Sequence, residues 1–199
     1  MQLGGAATDP ALAFDLVAIA ASAGGLSALT QLLGGLPATF PLPIAVVQHL
    51  DPKHTTLIAD ILARHTPLRV KQAVEEEDLR PGVVYVAPPG THLEIVSGQV
   101  RLTSTEPLHL VRPSADRLFA SAALSCARII GIVLTGSGRD GATGVEAIKA
   151  RGGFVIVQDP KTSAFSGMPQ AAVATGAVDR VLPLAEIAPA LIDLTRNVL

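Results

Sequence analysis

Ser22, His49 and Asp140 are the side chains in this 199-residue sequence whose types can do covalent chemistry together. A serine hydroxyl is a weak nucleophile until an imidazole takes its proton. A carboxylate on the far side of the ring then fixes the tautomer and stabilises the imidazolium that forms. Such a set performs acyl transfer to and from the serine, the chemistry of ester and amide hydrolysis. Two stretches of backbone could hold the oxyanion that develops, Ala23-Gly24-Gly25 and Gly136-Ser137-Gly138, at about 3 to 4 kcal/mol per well-placed amide. The residues alone leave both open.

Each of the three also has a plainer reading. Serine and aspartate are the commonest caps at helix N-termini, and a histidine at a strand end is often satisfied by its neighbours. The segment around Ser22 is not a GxSxG nucleophile elbow, so that large hydrolase fold has no motif support. Gly136-Ser137-Gly138-Arg139-Asp140-Gly141 satisfies GxGxxG, and Asp159 follows at the end of the next apolar run. A dinucleotide-binding oxidoreductase would use those glycines for a pyrophosphate and leave Asp140 as a helix-start residue.

The elements that must position these residues follow from hydrophobic periodicity. Short apolar, β-branched runs alternate with Ala- and Leu-rich helical stretches, the pattern of parallel strands joined by helices that cover both sheet faces. Strands are expected at Leu16–Ala20, Ile44–Gln48, Leu68–Val74, Ile129–Leu134, Phe154–Val157 and, at an edge, Val178–Leu182. Helices are expected after Gly25 with Leu26, Leu29, Leu32 and Leu33 on one side, over Thr55–Arg64 after the turn Leu50-Asp51-Pro52-Lys53, and over Ser114–Ala127. Others follow from about Gly141 to Ala150, over Pro169–Ala174 and over Leu184–Val198. Val83–Ala87, Leu93–Val96 and Gln99–Thr103, separated by Pro88-Pro89-Gly90 and Ser97-Gly98, suggest an antiparallel hairpin on the main sheet. Glu75-Glu76-Glu77-Asp78 reads as a solvated turn. The fold class is α/β, and Ser22, His49 and Asp140 each follow a strand by zero to six residues. In an open parallel sheet that is the ligand-binding edge.

Composition narrows the function classes. Hydrophobic residues make up 49% of the chain, enough to bury a sheet on two sides, and the length fits one core. A net charge of −2 gives no positive field for nucleic acid. The apolar run Leu16–Ala23 is far short of the roughly 20 residues of a membrane span, so membrane insertion is not expected. Residues 1–52 hold no Lys or Arg, unlike a secretory leader, and a cytoplasmic protein is expected. Cys126 is the only cysteine; it is expected as a small buried residue on a helix.

Ala20-Ala21-Ser22-Ala23-Gly24-Gly25, Gln48-His49 and Leu134-Thr135-Gly136-Ser137-Gly138-Arg139-Asp140-Gly141-Ala142 resemble the three catalytic blocks of the chemotaxis protein-glutamate methylesterases, the CheB family. Supporting blocks are Tyr85–His92, Arg112–Phe119, Val157-Gln158-Asp159 and Ser166–Gln170, and the likeness runs from about residue 15 to 190. The resemblance implies a doubly wound, mainly parallel sheet with helices on both faces and an antiparallel hairpin excursion. It implies Ser22 as nucleophile, His49 as general base and Asp140 as third triad member, with no metal or organic cofactor. The implied reaction is hydrolysis of glutamate γ-methyl esters, with deamidation of glutamines, on cytoplasmic helices of chemoreceptors; other chemotaxis or sensor proteins are further possible partners. Where the family usually has Thr after the nucleophile and Met between the glycines of the third block, this chain has Ala23 and Ser137. Those changes keep open a catalytically inactive docking or regulatory module of the same fold. Residues 1–14 read as a tail and 15–199 as the catalytic domain, with too few residues in front for the receiver domain that the family commonly carries.

Overall fold

The computed structural model describes residues 14–49, 57–106 and 111–196. Nine strands and six helices occupy them, in the order β1 (Leu16–Ala21), α1 (Gly25–Gly34), β2 (Ile44–Gln48), α2 (Ile58–Ala63), β3 (Arg69–Gln72), β4 (Val83–Val86), β5 (His92–Val96), β6 (Gln99–Thr103), α3 (Ala115–Ser125), β7 (Ile129–Val133), α4 (Ala142–Ala150), β8 (Phe154–Gln158), α5 (Gly167–Ala174), β9 (Arg180–Leu182) and α6 (Leu184–Arg196).

Seven strands form one sheet in the order β3-β4-β2-β1-β7-β8-β9, and every pairing in it is parallel. Parallel strands need both faces covered, and a strand's side chains alternate between the faces. Val17, Ile19 and Ala21 of β1 therefore join a core with Leu29 and Leu32 of α1, Leu62 of α2 and Leu191 of α6. Leu16, Ala18 and Ala20 join a second core with Phe119 of α3, Val145 of α4 and Ala172 of α5. Burying one such Val, Leu, Ile or Phe side chain is worth roughly 1.5 to 3 kcal/mol, so the two cores set the layering. The chain leaves β1 toward β2 and leaves β7 toward β8, in opposite directions along the sheet. The crevice of a doubly wound sheet opens between two such strands.

The structure corrects the expected hairpin. Val83–Val86 is not part of it: the segment is buried throughout and lies between β2 and β3 in the parallel sheet. The hairpin is β5 and β6 alone, a separate two-stranded sheet. It is anchored by the acidic turn, which is more than a solvated one. Glu76 N donates to Val100 O at 2.9 Å, Val100 N donates to Glu77 O at 2.9 Å, and the Gln99 amide reaches Asp78. Cys126 is also displaced from expectation: it stands at the C-cap of α3, half-buried, with burial first and the Asp15 charge second pushing its thiol up to about 11. The predicted turn Leu50–Lys53, the start of the helix at Thr55, the end of the closing helix at Val198 and all of the expected tail except Phe14 lie outside the described residues.

Two helices of the second layer start against each other. Asp116, in the first turn of α3, accepts hydrogen bonds from Gly141 N (3.0 Å) and Gly144 N (2.7 Å) at the start of α4. Asp140, just before α4, accepts from Ala115 N and Asp116 N at the start of α3. Each helix N-terminus, with its free amides and positive dipole end, is thus served by a carboxylate from the other. Asp116→Ala is expected to cost about 2 to 6 kcal/mol, because two buried amides lose a charged acceptor at roughly 1 to 3 kcal/mol each. Asp116→Asn, which keeps an acceptor oxygen, should cost less; urea unfolding of the two variants measures the difference.

Candidate active site

Ser22 follows the last residue of β1, His49 follows the last residue of β2, and Asp140 lies in the loop after β7. These three strands are neighbours, in the order β2-β1-β7. The ladder continues past the strand ends, with His49 N donating to Ala21 O and Ser22 N donating to Thr135 O, both at 3.0 Å. Ser22 is therefore stitched between the strand that ends in His49 and the strand that leads to Asp140.

His49 Nε2 lies 2.7 Å from Asp140 Oδ2. The imidazole is 11% exposed and the carboxylate 4%, so the ring keeps a little contact with solvent while its partner is sealed. Asp140 accepts three further hydrogen bonds, from Ser114 Oγ at 2.9 Å, Ala115 N at 2.6 Å and Asp116 N at 3.1 Å. Burial alone would push the carboxyl's pKa up. The bonds from His49, Ala115 and Asp116 outweigh burial and hold it below its ordinary value. An ionised acceptor on Nε2 makes that nitrogen the proton carrier and leaves Nδ1 as the basic one.

The capping alternative resolves differently for the two residues it concerned. Ser22 is not a cap: the N-cap of α1 is Gly24, with no side-chain cap bond. Asp140 does cap a helix, but the helix is α3, brought from elsewhere in the chain, and the same carboxylate holds the histidine. The dinucleotide alternative loses its anion site, because the amides at the start of α4 that would face a pyrophosphate are directed at Asp116. Of the amides expected for an oxyanion, Gly25 N is committed to Ser22 O at 2.8 Å and Gly136 N to Phe165 O at 3.0 Å. That turns attention to Ala23, Gly24, Ser137 and Gly138. Ala23 and Gly24 stand at the N-terminus of α1, whose dipole favours negative charge.

Three supporting residues were not singled out from sequence. Gln48 is buried, and its one amide nitrogen donates both to Ser22 O at 2.8 Å and to His49 O at 3.0 Å. Its oxygen abuts Gly25, where a Cβ would come within 2.0 Å of it. Gln158, at the end of β8, accepts from Thr135 N at 2.9 Å. Thr135 in turn bonds Ala23 O through its hydroxyl at 3.0 Å and accepts from Phe165 N at 2.9 Å. Gly136 is held close: a Cβ there would stand 2.8 Å from Ser22 Cβ and 2.3 Å from Met168 Sδ. A buried glutamine at a strand end is the sequence signal that could have pointed to both Gln48 and Gln158, since a buried amide must find partners. Of the two departures, Ser137 is exposed on the loop and Ala23 is half-buried beside the serine.

Residues 17–191 match the CheB methylesterase family. The chain belongs to that family. The CheB methylesterase catalytic domain of Thermotoga maritima superposes with a TM-score of 0.86 at 36% identity, over 90% of this chain and 98% of that one. The protein-glutamate methylesterase/protein-glutamine glutaminase 2 of Anaeromyxobacter dehalogenans is 48% identical over 96% of this chain and 56% of its own length. The protein-glutamate methylesterase FrzG of Myxococcus xanthus is 45% identical over 90% of this chain and 54% of its own. The chain thus spans about half the length of these curated relatives. Among the described residues no helix is long and apolar enough to cross a membrane.

Because Asp140 has a lower pKa folded than unfolded, it adds stability at pH above its ordinary value of 3.8. That contribution drains away as acid titrates through the lower folded value. The stability gap between wild type and Asp140→Asn should therefore be widest near neutral pH and shrink as the pH drops below about 4. Urea unfolding at pH 7 and at pH 3 checks the sign. Gln48→Leu is expected to cost about 1 to 3 kcal/mol, as two main-chain carbonyls lose a buried donor.

Proposed function

We propose that this chain is a serine hydrolase that removes methyl groups from glutamate γ-methyl esters on chemoreceptor helices and deamidates glutamines there. The observation that carries the reading is the 2.7 Å contact between His49 and Asp140 at the same sheet edge as Ser22, in a member of the CheB methylesterase family. Its relatives are protein-glutamate methylesterases, which supports a methylated protein glutamate as the substrate class.

On this reading Ser22 Oγ attacks the ester carbonyl while His49 Nδ1 takes its proton. The imidazolium is stabilised across the ring by Asp140, whose lowered pKa keeps it ionised. The oxyanion is held by amides at the start of α1 or in the Ser137-Gly138 loop. Collapse breaks the bond to the methoxy oxygen, His49 returns the proton to it, and methanol leaves with the acyl group on Ser22. Water then attacks the acyl-enzyme with His49 again as base, which frees the glutamate carboxylate and restores the serine. With a glutamine substrate the departing group is ammonia and the rest is unchanged.

Methanol release from a methylated receptor cytoplasmic fragment tests this directly. Ser22→Ala should lower turnover by about 10⁶-fold and Asp140→Asn by about 10⁴-fold, with circular dichroism unchanged for Ser22→Ala. Release by Ser22→Ala at the wild-type rate would remove the serine from the mechanism.

A further inference from the structure

His92 is a titratable side chain sealed in the protein, 0% exposed, and the chemistry above makes no use of it. It opens β5, the first strand of the hairpin, far from the ends of β1 and β2 in sequence. Its two ring nitrogens have opposite partners. Ser114 N donates to Nδ1 at 3.2 Å, so Nδ1 carries no proton. Nε2 is then the N–H and faces Glu106 O at 3.2 Å. The ring is therefore neutral and held in one tautomer. Burial, the largest influence, lowers its pKa; Glu106 O and the charge of Glu94 act the other way, and Arg117 and Arg112 act with burial.

Ser114 is the residue through which this matters. It is fully buried, and it stands immediately before α3 as its N-cap with extended backbone. From this turn come three of the four hydrogen bonds on the Asp140 carboxylate: Ser114 Oγ, Ala115 N and Asp116 N. The fourth is the contact with His49. We propose that His92 is a positioning residue for the active site: by accepting the Ser114 N–H it fixes the turn that aims the Asp140 carboxylate at His49. The hairpin is then a strut that carries one imidazole to the back of the site. This inference rests on the triad reading of Asp140 for its effect on rate, though not for its effect on the carboxylate.

Asparagine and glutamine separate positioning from bulk. Asn places its amide oxygen near Nδ1, where Ser114 N–H needs it; Gln places its amide near Nε2 and leaves that N–H without an acceptor. His92→Leu removes both contacts. His92→Leu and His92→Gln are expected to lower kcat by about 10- to 100-fold with KM within about 2-fold, since a displaced orienting group spoils alignment more than binding. His92→Asn should recover most of kcat. A second readout needs no turnover: the His49 Nε2 proton, followed by NMR in 15N-labelled protein, should move or exchange faster in the Leu and Gln variants and return in Asn.

Equal kcat and an unmoved His49 proton in folded Gln and Asn variants would overturn the proposal. That comparison decides the matter even if His92→Leu does not fold. If neither wild type nor variants release methanol but the His49 proton still responds to Gln and not to Asn, the positioning role stands and the esterase reading falls.

Discussion

A carboxylate withdrawn from water must be given donors, or it will not stay charged. Asp140 meets that requirement with four hydrogen bonds from two segments, three from the turn before and at the start of α3 and one from the histidine at the end of β2. The arrangement of the second layer follows from this requirement. The first turn of α3 must approach the loop after β7, and α4, which begins where that loop ends, must then start beside α3. Asp116 completes the pair by serving α4 in return. Structural and chemical demands on Asp140 are met by the same atoms, so its capping role and its proposed catalytic role are not rivals.

The sheet contributes the other half of the geometry. Parallel strands end in step, and the register of β1 with β2 and β7 delivers Ser22 beside His49 on one side and beside Thr135 on the other. A one-residue slip of a strand would send the side chains of one core into the other, so the packing of the two cores holds the register. The polar residues at their ends inherit that constraint, which is how positions 22, 49 and 140, so distant in sequence, arrive at one edge.

Much of this could be read from residues alone. The runs Leu16–Ala21, Ile44–Gln48 and Ile129–Val133 announce themselves by apolar, β-branched composition, and Ser22 and His49 follow two of them directly. Asp140 was reached because it lies in a glycine-rich loop after the third. What stayed hidden was pairing. Val83–Val86 is short and followed by Pro88-Pro89-Gly90, which looks locally like a hairpin arm; only its insertion between β2 and β3 makes it part of the sheet. Local patterns also do not reveal which helix a carboxylate caps, so the reach of Asp140 to α3 and of Asp116 to α4 was not legible. Gln48, His92 and Ser114 lie in segments that the family resemblance covers, but what they do was not legible, because it depends on partners 22 to 26 residues away.

Gln48 sits beneath the serine and the histidine with one nitrogen shared between their carbonyls. Such a bridge acts as a gauge across the seam of two strands. If β1 crept along β2 by even a fraction of a residue step, the bond to Ser22 O would lengthen, while the bond to His49 O, made within the same chain segment, would keep the amide in place. The spacing of Ser22 and His49 is thereby set by main chain, and substitutions at neighbouring positions such as Ala23 or Ser137, half-buried and exposed, can accumulate without disturbing it.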